Sequence, residues 1–465
     1  MKRVGLALLL AAAVIVRPAA QARVTLITGG TVVTVDAAGT VIRNGAVAIQ
    51  GERIAAVGTA AEMARRYPAA MRIDATGHVV MPGLVNTHGH APMVLYRGLA
   101  DDLALMDWLQ QYIFPAEAKT VSADFVRVGT NLAALEMIES GTTTFADMYY
   151  FEEAIAAATK AAGLRAVLGQ TIIQFPVADA KTWQEGLARA EAFVKQWRND
   201  PLVTPAYAPH SMYTLDETML KAIRASAEQH NAFVLIHLSE TKVENDDSRK
   251  AHGVSPTQWL EQMGFWTSSG GRVRTLAAHG IWLDDADMAT LAKRGVALSH
   301  NPESNMKLAS GAAPVTKWLT AGIRAGLGTD GAASNNDLDM FESMRLASFL
   351  QKHANVDPRA LPAKAALELA TMGGARALGL DASIGSLEAG KLADVIVVGM
   401  SRARQTPVYD PVSHLVYATR GDDVRDVFVH GRVLMRDRLI RTLNRAAVLR
   451  DARAMQQKVK AAVAK

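Results

Sequence analysis

The sequence predicts an α/β protein: a (β/α)8 barrel carrying a small β-sandwich built from its N- and C-terminal flanks. Three observations predict it. The middle of the chain alternates eight strand-like apolar runs with amphipathic stretches. Both flanks are rich in β-branched residues cut by Gly and Asn. Six of the eight central runs also end in titratable groups, whereas buried parallel strands are normally apolar throughout.

In chain order, residues 1–22 read as a signal peptide. Met1-Lys2-Arg3 is a basic start, 4–16 is apolar, and Ala20-Gln21-Ala22 fits a small-residue cleavage site. That run is shorter than the about 20 residues needed to cross a bilayer. The mature protein is therefore expected in a periplasm or outside the cell, free of the membrane, with a cytoplasmic location as the alternative. Residues 23–80 form the first part of the sandwich, with β-branched runs such as Thr31-Val-Val-Thr-Val broken at Gly29-Gly30 and Asn44-Gly45. Residues 81–385 form the barrel, its strands expected at 79–88, 142–148, 165–172, 203–210, 232–237, 275–279, 296–300 and 324–330. Amphipathic stretches between them include 182–197, 215–229, 284–293 and 336–350. Residues 386–440 complete the sandwich through runs such as Asp394-Val-Ile-Val-Val, and 441–465 is a helix packed on the outside.

Composition narrows the function. Of 465 residues, 49% are hydrophobic and 20% charged, the balance of an ordinary globular protein. The formal charge is +5, but Lys2, Arg3 and Arg17 lie in the acid-free leader. The remainder is too weakly basic to argue for nucleic acid or an anionic membrane. A small-molecule substrate is the expected partner, and a homo-oligomer is left open. There is no cysteine, so any metal site must use histidine and carboxylate.

Six of the twelve histidines, His88, His90, His210, His237, His279 and His300, sit at the C-terminal ends of the expected strands, and Asp330 ends the eighth. In a closed barrel those ends converge on one face. His88 and His90 point the same way from one strand, about 6.6 Å apart at about 3.3 Å per residue, a spacing that suits two imidazoles on one ion. Gly89 between them is expected to keep the backbone approachable. His237 adds a third imidazole and Asp330 a carboxylate that would be costly at a barrel centre without a cation. Glu240, three residues after His237, is placed for general acid–base work. His279 is either a further ligand or, as assigned here, a hydrogen-bonding partner of the attacking oxygen and the developing oxyanion. His300, beside two amides, is expected to satisfy itself by hydrogen bonds.

Pro82-Gly-Leu-Val-Asn-Thr-His-Gly-His90, His237-Leu-Ser-Glu240, Ala278-His-Gly, Ser299-His-Asn-Pro-Glu-Ser-Asn305 and Gly328-Thr-Asp-Gly-Ala-Ala-Ser334 resemble the amidohydrolase superfamily. Within it they resemble the cytosine-deaminase-like branch that contains methylthioadenosine and S-adenosylhomocysteine deaminases. The resemblance runs from about residue 23 to about 438. It implies one Zn2+ per subunit, with Fe2+ as the alternative, held by His88, His90, His237 and Asp330. The bridging carboxylated lysine of binuclear relatives has no counterpart, because 203–210 contains no lysine. The resemblance also implies substrate contacts at Glu117 (ribose hydroxyls), Trp108, His210 and Ser334. Relatives that accept a homocysteine carboxylate tend to carry Arg on strand three, where this chain has Gln170; Lys181 in the next loop is a candidate substitute.

The implied reaction is attack of an activated hydroxide on C6 of an adenine nucleoside, 5′-methylthioadenosine or adenosine ahead of S-adenosylhomocysteine, releasing ammonia. Glu240, His279 and Asp330 are the catalytic groups. Two rivals remain: hydrolysis of another aminated heterocycle (guanine, a pterin, a triazine) or of an amide bond, and a non-catalytic binding protein on a retained barrel.

Overall fold

The computed structural model describes residues 23–266 and 274–464. The leader at 1–22 lies outside the described residues. Among them, no helix is long and apolar enough to cross a membrane.

The eight barrel strands are Leu84–Asn86, Thr142–Tyr149, Arg165–Ile172, Val203–Pro209, Phe233–Leu238, Thr275–His279, Ala297–His300 and Ala325–Leu327. They follow one another in spatial order, and every neighbouring pair is parallel. Between the eighth and first strands the ring is joined just past the strand ends. Thr87 N–H donates to the Leu327 carbonyl at 2.8 Å and Asp330 N–H to the His88 carbonyl at 3.0 Å. The Asn86 side chain reinforces this seam, donating to Thr329 Oγ1 at 2.7 Å and accepting from Thr329 N–H at 3.1 Å. The interior is filled by small and medium apolar side chains, among them Val85, Ala146, Val167, Ala206, Leu235 and Leu276. It is a packed core, so chemistry is confined to the strand ends.

One expected strand is two. The apolar run 79–88 breaks at Gly83, where a Cβ would overlap the Thr143 side chain. Its first part, His78–Pro82, leaves the barrel and pairs antiparallel with Val395–Gly399. That pairing unites the two flanks in a single nine-stranded mixed sheet. The sheet has its own core, with Ile27, Val47, Ile54 and Val80 from the N-terminal part against Val395 and Phe428 from the C-terminal part. A buried ion pair, Arg165 to Asp394 at 3.1 Å, ties the base of the third barrel strand to this sheet.

The last helix, Arg445–Val463, starts at Asn444, whose side chain accepts from Ala447 N–H. It buries Val448, Ala452, Met455 and Val459, one stripe at helical spacing. That stripe lies on the helices Ala123–Ser140 and Phe114–Thr120. The second of these carries Glu117, so the C-terminal helix backs one wall of the site.

Candidate active site

The carboxyl ends of the strands open into a cleft whose walls include His90, His210, His237, His279, Glu240 and Asp330. Three residues at its floor or rim have left-handed backbone: Ser239 (φ 49), His279 (φ 74) and Asp330 (φ 63). Non-glycine residues adopt this conformation only where surrounding contacts hold them. Glycine is demanded at 328 rather than at 89. A Cβ at Gly328 would sit 2.9 Å from His88 Cβ and 2.7 Å from Ser299 Oγ, whereas one at Gly89 would meet only ordinary contacts at 3.6 Å.

Nε2 of His88 lies 3.5 Å, and Nε2 of His90 3.3 Å, from Asp330 Oδ1. The ring centroid of His237 is 5.0 Å from that of His88 and 5.5 Å from that of His90. Candidate ligand atoms of His88, His90 and Asp330 fall within 4.8 Å of one another, as do those of His88, His237 and His279. Outer partners fix two tautomers. His90 Nδ1–H donates to the Met148 carbonyl at 2.7 Å and His237 Nδ1–H to the His210 carbonyl at 2.8 Å. Each Nε2 therefore faces inward, and in the neutral ring its lone pair is free. His88 Nε2 is buried with no hydrogen-bond partner among the described residues. A neutral orphan nitrogen among imidazoles and an acid is what a divalent metal would satisfy, so the donor set fits a metal ion.

The electrostatics agree. Burial drives His88 down to about 4 and His237 well below its ordinary value, with neighbouring imidazoles adding to the effect on His237. Burial also opposes the charge on Asp330, but the His88 and His90 imidazoles facing it outweigh that and hold it well below the carboxylate range. His90 is the exception: burial lowers it, yet the bond to Asp330 and that residue's charge lift it to about 9. A cation would share the same carboxylate.

Glu240 is buried and lines the cleft, and burial is the main force raising its pKa. His279 Nε2 is 3.8 Å from Glu240 Oε2 and 3.9 Å from Asp330 Oδ2, while its Nδ1 bonds with Asn305 Oδ1 at 2.9 Å. Across the cleft, Glu117 accepts from the Tyr149 hydroxyl at 2.6 Å. Burial, partly offset by that bond, pushes its carboxyl up to about 7. Trp108, His210 and Ser334 also line the cleft.

Three readings of the sequence need correction or relocation. Gln170 does not line the cleft: its amide donates to Asp179 Oδ2 at 2.9 Å and to the Thr171 carbonyl at 3.2 Å. Strand alternation gives the cleft Thr171 instead. Lys181 is exposed and is not among the lining residues. Among the described residues His300 finds no hydrogen bond at either ring nitrogen; it packs edge-on to Trp318 at 6.1 Å, and burial drives it to about 3. A neutral ring in an apolar setting needs no counter-charge.

Spacing alone does not single out Asp147, Tyr149 or Glu244. Asp147 accepts the N–H of Ala91, the residue after His90, and so anchors that loop. An acid inside the apolar run 142–148 was the available signal. Tyr149 carries none, since a tyrosine ending a strand reads as core. Glu244 accepts from two backbone N–H groups beside Glu240. Most of the apolar wall, including Leu105, Leu109, Ile113 and Phe114, comes from helical turns between the first two barrel strands.

The chain is similar to known proteins over most of its length. Residues 79–434 match the amidohydrolase family, and residues 45–70 match an imidazolonepropionase-like composite domain of bacteria. The chain is 46% identical to a 5-methylthioadenosine/S-adenosylhomocysteine deaminase of Syntrophobacter fumaroxidans, covering 94% of this chain and 98% of that protein. It is 43% identical to a 5′-deoxyadenosine deaminase of Methanococcoides burtonii, covering 92% and 96%. The crystal structure of an adenosine deaminase from Xanthomonas campestris with bound zinc superposes with a TM-score of 0.91 at 39% identity, covering 95% of this chain and 99% of that one. The match spans the whole barrel and much of the flanking sheet, and the chain belongs to the amidohydrolase family.

Proposed function

We propose that this chain is a zinc-dependent hydrolytic deaminase of adenine nucleosides, favouring those with a small uncharged 5′ group over S-adenosylhomocysteine. The observation that carries the reading is the buried Glu117–Tyr149 pair sharing one cleft with the histidine centre. An acid there suits a ribose diol and has little use for a bare ring. The named relatives support deamination of an adenine nucleoside.

His88, His90, His237 and Asp330 would hold the zinc. Bound there, it would lower the pKa of water from about 15.7 to about 7, roughly 12 kcal/mol of easier deprotonation at about 1.36 kcal/mol per unit. The rest is done by side chains. Glu240 takes a proton from the attacking water and delivers it to ring N1, so that the amine departs from a tetrahedral C6. His279, facing both Glu240 and Asp330, steadies the attacking oxygen. Asp330 takes the remaining proton of the attacking oxygen and passes it to the leaving amine. Glu117 accepts from the ribose hydroxyls. Among the described residues the cleft lining includes no Lys or Arg, so a homocysteine carboxylate would be desolvated there without a counter-ion.

Ammonia release and loss of the adenosine-type absorbance band would be followed with methylthioadenosine, adenosine, S-adenosylhomocysteine, guanine, a pterin and a dipeptide. The first two should give the highest kcat/KM. A preference for S-adenosylhomocysteine overturns the 5′ assignment, and activity confined to guanine, pterin or dipeptide overturns the nucleoside reading. Residues 1–22 are proposed to be removed on export. N-terminal sequencing of periplasmic protein from a bacterial host should then begin at Arg23, and a mature chain starting at Met1 contradicts it.

A further inference from the structure

Glu244 has no place in the mechanism above, yet it is buried and both its oxygens are used. Oε1 accepts Ser239 N–H at 2.9 Å and Oε2 accepts Glu240 N–H at 2.8 Å. It stands at the third position of the helix Lys242–His252, whose cap is Thr241. A glutamate in that position commonly reaches back to the cap's own N–H. Here it reaches past the cap to the two residues before it. No Lys or Arg pairs with Glu244 among the described ion pairs, so those two N–H groups are its chief compensation for burial.

What it holds is a turn that resists its own conformation. Ser239 has φ 49, left-handed backbone that disfavours any side chain. Its carbonyl accepts from Ile281 N–H at 3.0 Å and Trp282 N–H at 3.1 Å, in the segment just after His279. The peptide is thus gripped from one side by the His279 loop and from the other by Glu244. This turn directs the chain from His237 to Glu240 and sends the Glu240 side chain into the cleft.

We propose that Glu244 is a positioning residue for the reaction, a two-oxygen clamp on the backbone that sets the aim of Glu240. The proposal rests on the reading that Glu240 is the acid–base group of a deaminase. A glutamine at 244 would keep the volume but turn a donor toward one of the two N–H groups. The clamp would loosen without touching the metal ligands.

The test is a double-mutant cycle on zinc-loaded protein: Glu244→Gln, Glu240→Gln and the pair, with kcat, KM, metal content and Tm measured for each. Glu244→Gln should lower kcat on the order of tenfold to a hundredfold, the scale of a misaimed catalytic group. KM should stay within about threefold, since binding contacts are intact. Metal content should match wild type. In the Glu240→Gln background the same change should cost nothing further, because nothing remains to be aimed. An unchanged kcat overturns the proposal, as does an equal loss in both backgrounds or a loss of metal. If Glu244→Gln does not fold, Glu244→Asp takes its place with the same expectations, since its shorter arm keeps the charge but does not span both N–H groups. Wild-type protein inactive on every adenine nucleoside overturns the deaminase reading and this assignment with it. An active wild type with an indifferent Glu244→Gln removes this assignment alone.

Discussion

Replacing Glu117 by glutamine separates recognition of the sugar from the hydrolytic centre. Oε1 of Glu117 is engaged by the Tyr149 hydroxyl at 2.6 Å, which leaves Oε2 as the main acceptor for a substrate hydroxyl. A glutamine that keeps its oxygen toward Tyr149 turns an amide donor to the substrate, so one charge-assisted hydrogen bond is lost. Such bonds are worth about 1.5–3 kcal/mol, which converts to roughly 10- to 150-fold in kcat/KM at about 1.4 kcal/mol per factor of ten. The assay compares kcat/KM for adenosine and methylthioadenosine with that for free adenine, which has no hydroxyls to lose. The ratio of wild type to variant should also shrink as the pH falls below about 7. Burial has raised the carboxyl to that value, and the protonated form gives up part of its accepting capacity. A nucleoside loss under about threefold, or an equal loss on free adenine, would refute the assignment.

Glu240→Gln should retain metal and lower turnover by about a hundredfold or more; near-normal turnover would take Glu240 out of the mechanism. His237→Ala should lose metal by elemental analysis, and full occupancy would contradict its place as a ligand. Met455→Ala removes a buried side chain from the stripe that seats the C-terminal helix, at a cost of about 2–5 kcal/mol. Thermal melting should register it, and an unchanged melting temperature would mean that the helix contributes nothing to the fold.

The histidines at 88, 90, 237 and 279 and the acid at 330 stand out in the sequence because strands buried on both faces are otherwise apolar. A polar residue at the end of such a run has few structural uses, so position alone marks it. Gln170 and Thr171 are adjacent at the end of one run, and alternation requires that only one of them face the cleft. Periodicity does not say which, and the structure gives that place to Thr171. Glu244 is invisible for another reason: a glutamate early in a helix is common, and its grip on Ser239 and Glu240 depends on a left-handed turn that no residue type announces.

Residue chemistry along the chain was enough to define the alternation of strands and helices, the donor types for a metal and the acid poised beside them, since each depends on local pattern. Which stretch of backbone pairs with which could not be read the same way. The run 79–88 reads as one strand with an apolar body, yet its halves enter different sheets, because His78–Pro82 finds its partner at Val395–Gly399, far along the chain. The closed seam at Asn86, the apolar wall over the cleft and the clamp on Glu240 likewise exist only where distant segments compete for the same hydrogen bonds and the same buried space.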